Sequence, residues 1–256
     1  MILLFDIGRT KTRVVLSDNG QTWSGEPVIF DTPVDFQVGL NKLLEIVKGE
    51  EITLIAGGIS RAVWSDINIQ SELKKNFNCP VILENDSAVV GLGEMTAGAG
   101  QGGAITAYVT VSSGVGGARI VNNSIDKSSF GFEPGHQILL SKDKVPFTLE
   151  NLISGRSLEA NYGCLPYEID KDDEIWSELA LHLAYGLNNI AVCWSPEIIV
   201  VGGSMMKIPG IRLNEVRDHF NTILKIYSQK PELKLATLGD IGGLYGALAL
   251  AKEKLK

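Results

Sequence analysis

The chain opens on an apolar strand, Ile2 to Phe5, that runs into Asp6-Ile7-Gly8-Arg9-Thr10-Lys11-Thr12-Arg13. The pattern returns as Thr110-Val111-Ser112-Ser113-Gly114-Val115-Gly116-Gly117. A carboxylate at the end of a buried strand, followed by Gly and Thr in a tight turn, sets backbone N–H and hydroxyl donors beside a group able to orient hydrated Mg²⁺. Two such turns in one chain imply two phosphate clamps. Either turn alone also reads as a plain structural hairpin, since Asp-x-Gly-x-Thr and Gly-rich segments are ordinary turn compositions.

The rest of the chain supplies α/β elements around these turns. Ile2 to Phe5 and Arg13 to Leu16 form the strands of an N-terminal hairpin, with Asp18-Asn19-Gly20 as the next turn. Phe36, Leu40, Leu43, Leu44 and Val47 recur at helical spacing, Thr53 to Ala56 read as a short buried strand, and Ile69 to Phe77 as a second helix. Val81 to Leu83 is another strand, and Ser87 to Thr96 a helix rich in small residues. The glycine-rich stretch 97–103 reads as a boundary between lobes or as a plain surface loop. Beyond it, Ile105 to Val111 and Ala118 to Val121 flank the second turn. Ile175, Leu179, Leu183, Leu187 and Ile190 mark one face of a long helix ending near Ser195-Pro196, ahead of a buried strand Ile198 to Val201. Leu213 to Ile226 is amphipathic, and Gly242 to Gly246 opens a last helix. The expected domains are an N-terminal lobe 1–103, a C-terminal lobe 104–241 and a terminal helix 242–256 packing back near the first lobe.

Composition narrows the function. The 256 residues can bury one large core or two ordinary ones. With 23 basic against 30 acidic residues the net charge is −7, and no basic cluster interleaved with aromatics offers a nucleic-acid surface. No apolar run reaches membrane-spanning length, and no basic segment precedes the first strand, so a cytoplasmic protein without membrane association is expected. Cys79, Cys164 and Cys193 are isolated and odd in number, and are read as small packing residues rather than a disulfide or metal framework.

Between the two turns lies Glu84-Asn85-Asp86-Ser87-Ala88, and this third segment decides for phosphate chemistry. By spacing alone Asp86 is a helix N-cap. With the two turns in this order, however, nearly the whole chain resembles the ROK family of sugar kinases, in the actin, hexokinase and Hsp70-like superfamily. The resemblance implies a two-lobed actin-like (ribonuclease H-like) α/β fold with mixed sheets and flanking helices in each lobe. It implies ATP-dependent phosphorylation of a hexose or N-acetylhexosamine, most readily at O6, with Asp86 as general base and Asn85 as a sugar ligand. Gly131-Phe132-Glu133-Pro134-Gly135-His136 is similar to the family's sugar motif, which gives Glu133 and His136 roles at the sugar; on its own His136 reads equally as a core histidine. Thr148-Leu149-Glu150 before Ser154-Gly155 resembles the end of the family's zinc segment, which makes Glu150 a sugar ligand. No cysteine lies between His136 and Glu150, so zinc is not expected. Asn68 is a looser match to a sugar contact, as is Gly58 to a glycine-rich segment.

On the nucleotide side the resemblance implies that Asp6, Gly8, Thr10 and Lys11, with Ser112, Ser113, Gly114 and Gly116, face the phosphates. Asp6 would hold Mg²⁺ through water, and Gly202 and Gly203 would lie against the adenosine. A homodimer and closure on a sugar are further implications. The chain departs from the pattern at Arg9, where the family has glycine, and at Ser112-Ser113, where it has Gly-Thr. Three placements are open for Arg9: clamping phosphate, blocking ATP to leave a non-catalytic sugar sensor, or facing solvent. A DNA-binding repressor is not expected, because Met1 leads straight into the first strand.

Overall fold

A computed structural model describes residues 1–142 and 144–255. In chain order the first half holds β1 (Ile2–Ile7), β2 (Lys11–Ser17), β3 (Ser24–Asp31), α1 (Phe36–Ile46), β4 (Leu54–Ile59), α2 (Ile69–Phe77), β5 (Val81–Asn85) and α3 (Asp86–Ala97). The second holds β6 (Ile105–Val111), β7 (Val115–Val121), β8 (Ser124–Ile125), β9 (Ile138–Lys142), β10 (Val145–Thr148), α4 (Leu149–Ile153), α5 (Gly155–Tyr162), α6 (Ile175–Trp194), β11 (Ile198–Gly202), α7 (Leu213–Ile223), β12 (Glu232–Leu235) and α8 (Gly242–Lys254).

Two sheets share one topology. The first runs β3-β2-β1-β4-β5 and the second β8-β7-β6-β11-β12. In each, an antiparallel meander supplies the first three strands, and two further strands join its first strand in parallel. The repeat suggested by the two glycine turns is therefore a repeat of whole sheets. Each turn joins the first two strands of its meander. In chain order, between its meander and β11, the second unit also carries the β9–β10 hairpin, α4 and α5.

The chain divides into two compact units, Met1–Gly98 with Leu238–Lys256, and Ala99–Thr237. These limits fall a few residues before 103 and 241. The terminal helix α8 belongs to the first unit, where it packs on α3, β4 and β1. All six residues of β1 are buried, as a strand covered on both faces requires. Its Leu3, Phe5 and Ile7 join Leu40, Leu43, Ile55 and Leu73 in the first core. In the second core the predicted stripe on α6 is buried throughout, from Ile175 to Ile190, against β6, β11 and α4. This helix stops where Ser195 turns into the left-handed region ahead of Pro196. The helix expected to reach Ile226 ends at Ile223, and Ile226 is exposed.

Candidate active site

In the first unit the parallel strands β1, β4 and β5 end together: Asp6 is in register with Gly58, and Gly58 with Glu84; Ile7 is in register with Ile59, and Ile59 with Asn85. Ligand chemistry in open α/β sheets collects at this carboxyl edge. Asp6 stands at the end of β1, Ser60 just past β4, and Asp86 just past β5. The N-cap of α3 is Asn85, not Asp86, whose spacing had suggested a cap. The Asn85 side chain accepts from Ser87 N–H at 3.0 Å, and Asp86 is the first helical residue. Asp86 Oδ1 shares that donor at 2.8 Å, and the Ser60 hydroxyl donates to the same carboxylate.

Electrostatics separate the two aspartates from ordinary surface carboxylates. Burial pushes Asp86 up, against the downward pull of the Ser87 N–H and the Ser60 hydroxyl. Asp6 is only 6% exposed. Burial pushes it up to about 7, the Arg13 guanidinium pulls it down, and the Asp86 charge adds a further upward push. Arg13 lies across the hairpin in register with Asp6, with Nη1 3.7 Å from Oδ2. From below, α8 comes so close that a β-carbon on Gly243 would run into the Asp6 carboxyl group.

The first glycine turn is held by a few contacts within its own sheet. Gly8 N–H donates to Lys11 C=O at 3.0 Å, and Thr32 ties the turn down twice, by its hydroxyl to Gly8 C=O at 2.7 Å and its N–H to Thr10 C=O at 3.0 Å. Arg9 and Thr10 form the exposed tip, and among the described residues their N–H groups meet no protein acceptor. Arg9 is exposed at this tip, an exposure that all three placements open for it share. Lys11 pairs with exposed Asp31 at 2.6 Å.

The second turn, in the other unit, is anchored from several elements. Ser112 N–H donates to Gly114 C=O at 2.8 Å, and Ser112 C=O accepts from Gly155 N–H at 2.8 Å. The hydroxyls of Ser112 and Ser204 are 2.9 Å apart. Val115 N–H donates to Glu150 Oε2 at 2.7 Å. Ser113 is exposed at the tip, and the N–H groups of Ser113 and Gly114 meet no protein acceptor among the described residues. Two successive unpaired amides at each turn are donors suited to anionic oxygens.

The other expected residues fall as follows. Glu133 and His136 are both exposed around the short 3₁₀ turn Pro134–His136, which excludes the core-histidine reading. Asn68 is exposed and its side chain caps α2 by accepting from Ser71 N–H at 3.0 Å. Gly116 lies in the β6–β7 ladder opposite Thr110. Gly202 ends β11, and Gly203 follows with φ +100°, where a β-carbon would strike Val111 C=O; both glycines thus also serve packing within the unit. Cys79 and Cys164 are partly buried, but Cys193 is exposed and is not the packing residue expected. Among the described residues no three His, Cys, Asp or Glu side chains are grouped to hold a metal, and no helix is long and apolar enough to cross a membrane.

Four contributors were not foreseen. Arg13 was discoverable, since a hairpin through Gly8 to Thr10 sets it opposite Asp6. Ser204 adjoins the glycine pair already singled out. Thr32 and Ser60 carry no motif, and only the sheet brings them to the turn and to Asp86.

The model of the ROK family matches residues 54–254. Over 178 residues the chain is 30% identical to a fructokinase of Lactococcus lactis subsp. cremoris, covering 66% of this chain and 60% of that protein's length. A glucokinase of Halalkalibacterium halodurans is 26% identical, over 79% of this chain and 74% of its own. Among solved structures, a ROK hexokinase from Thermus thermophilus superposes with a TM-score of 0.85 at 24% identity, covering 99% of this chain and 98% of that one. A ROK glucokinase from Streptomyces griseus, in complex with glucose and AMPPNP, gives 0.74 at 21% identity, with 98% and 99% covered. The actin-like α/β fold expected from the motifs is the fold observed.

Proposed function

The chain belongs to the ROK family, and on that premise we propose that it is an ATP-dependent sugar kinase acting on a hexose or N-acetylhexosamine at O6. The observation that carries the reading is Asp86, set at the first turn of α3 beyond the end of β5 and raised by burial, with the buried Asp6 carboxylate close enough for the two charges to interact. A carboxylate lifted from its usual range while keeping hydrogen-bond donors that fix its orientation is suited to accept a proton. Asp86 takes the proton of the sugar hydroxyl as its oxygen forms a bond to the γ-phosphorus. The bond from that phosphorus to the β–γ bridging oxygen breaks, and ADP leaves.

The remaining residues position the reactants. The unpaired N–H groups at Arg9-Thr10 and Ser113-Gly114, with the Thr10 and Ser113 hydroxyls, are the donors for phosphate oxygens. The buried Asp6 carboxylate, with Arg13 at 3.7 Å as its one ion-pair partner among the described residues, fits a hydrated Mg²⁺, which would supply charge neutralisation at the phosphates. Asn85, Glu133, His136 and Glu150 are proposed hydroxyl ligands of the sugar, Asn68 a peripheral one, and Gly202 and Gly203 neighbours of the adenosine. The proposal includes a cytoplasmic setting, a homodimer and no structural zinc; stoichiometric zinc surviving dialysis would overturn the last.

A coupled ADP-release assay with ATP and Mg²⁺ against a panel of hexoses and N-acetylhexosamines tests the function. Release that depends on one sugar names the substrate. Release that no sugar stimulates, from folded protein, rejects the kinase.

A further inference from the structure

Glu150 has a second contact that a sugar ligand does not need. Its Oε2 accepts from the N–H of Val115, the residue that closes the second glycine turn, at 2.7 Å. The fit is tight: a β-carbon on Gly114, within the turn, would lie 2.8 Å from the same oxygen. Among the described residues no protein hydrogen bond occupies Oε1. The helix that carries Glu150 is fixed in turn. Glu150 C=O accepts from Ser154 N–H at 3.1 Å and from the Ser157 hydroxyl at 3.0 Å, and Gly155 N–H reaches back to Ser112 C=O at 2.8 Å. The junction of α4 and α5 therefore grips the turn on both sides, at Ser112 and at Val115.

The other sugar motif meets the same residue from a different direction. Gly135, between Glu133 and His136, packs so closely on Val115 that a β-carbon there would overlap the Val115 carbonyl oxygen. Val115 thus has its N–H held by one proposed sugar element and its C=O covered by another.

We propose that Glu150 is a positioning residue for the second phosphate turn, and that through Val115 it couples sugar binding to nucleotide binding. One carboxylate oxygen holds the turn in the shape that presents the Ser113 and Gly114 N–H groups, while the other remains for a sugar hydroxyl. A sugar that fixes the carboxylate then also fixes the turn, so each ligand lowers the ordering cost of the other. The inference rests on the kinase reading for the identity of the two ligands, but the anchoring itself does not depend on it.

The test measures Mg·AMPPNP affinity without sugar in wild type, Glu150→Ala and, as a surface control on α5, Glu159→Ala, and repeats it with saturating glucose as the probe. Alanine removes the acceptor of Val115 N–H, where glutamine would keep one, so Glu150→Ala should weaken nucleotide binding about tenfold in the absence of sugar. Glu159→Ala should leave that affinity within about twofold. In wild type glucose should tighten nucleotide binding, and in Glu150→Ala this gain should vanish. If Glu150→Ala binds nucleotide as wild type and Glu159→Ala do without sugar, Glu150 is a sugar ligand only and the proposal is wrong. If wild type binds no nucleotide, the kinase reading fails separately, and amide hydrogen exchange then reads the anchor. Faster exchange confined to Val115 and its turn in Glu150→Ala supports it, and unchanged exchange there overturns it.

Discussion

The two glycine turns occupy equivalent places in two sheets of one topology, yet they are built differently. The first is a bare hairpin tip, tied to its own sheet by Thr32, with its chemistry beneath it in the buried Asp6. The second has no carboxylate at the end of its strand; Glu150, Gly155 and Ser204, from three other places in the chain, hold it. Similar turn sequences can therefore divide the work: one side of the duplicated plan concentrates charge, and the other concentrates positioning. Substitutions at the first turn's foundation should damage chemistry, and substitutions at the second turn's props should damage affinity.

The sharpest way to break this contrast is Asp6→Asn. It should lower turnover on the order of a hundredfold by removing the charge that fits Mg²⁺. The same variant has a stability signature. A carboxyl group whose pKa rises from 3.8 to about 7 on folding stabilises the fold fully at acid pH, and that contribution is lost as pH rises through about 7. Without ligands, wild type should lose of the order of a few kcal/mol of this contribution across that window, and urea titrations of Asp6→Asn should lack the slope. A wild-type stability that rises through the window with the same slope in the variant would show that Asp6 is not buried in the free protein.

Next in size is Gly243→Ala, which drives a methyl group toward the Asp6 carboxyl. It should destabilise by about 1–3 kcal/mol in a denaturant titration and reduce turnover through displaced Asp6. Ser204→Ala tests the other turn. Loss of a single hydroxyl contact with Ser112 should weaken nucleotide binding by only about two- to tenfold and leave turnover at saturating ATP nearly intact. The smallest effect belongs to Arg9→Gly, expected to change nucleotide affinity and turnover by less than about twofold, because the proposed donors at this exposed tip are backbone N–H groups that glycine keeps. A large loss there would make Arg9 a phosphate ligand and give the first turn a positioning role of its own.

What the amino-acid sequence disclosed, and what it hid, follows the same division. The fold was readable because its elements announce themselves locally: β1 as an unbroken apolar run, α6 as a stripe at helical spacing, and each glycine turn between two strands. The places of Asp6 and Asp86 at the ends of β1 and β5 were readable because each follows an apolar strand run. The cap that spacing alone offered at Asp86 is at Asn85, because Asn and Asp both serve there and only the backbone at Asn85 shows where α3 begins. The props of the second turn were hidden for a different reason. Glu150 is 35 residues from Val115 and Ser204 is 92 from Ser112, and no local pattern encodes contacts made by strand register and helix packing.

The central claim is that Asp86 is the base of a sugar kinase, and its most direct test is sugar-dependent ADP release by wild type and Asp86→Asn, with sugar affinity measured for both. The account predicts that the variant binds sugar as wild type does and loses turnover by about 10²- to 10⁴-fold. A variant that turns over near the wild-type rate would contradict it, and would remove Asp86 from the chemistry.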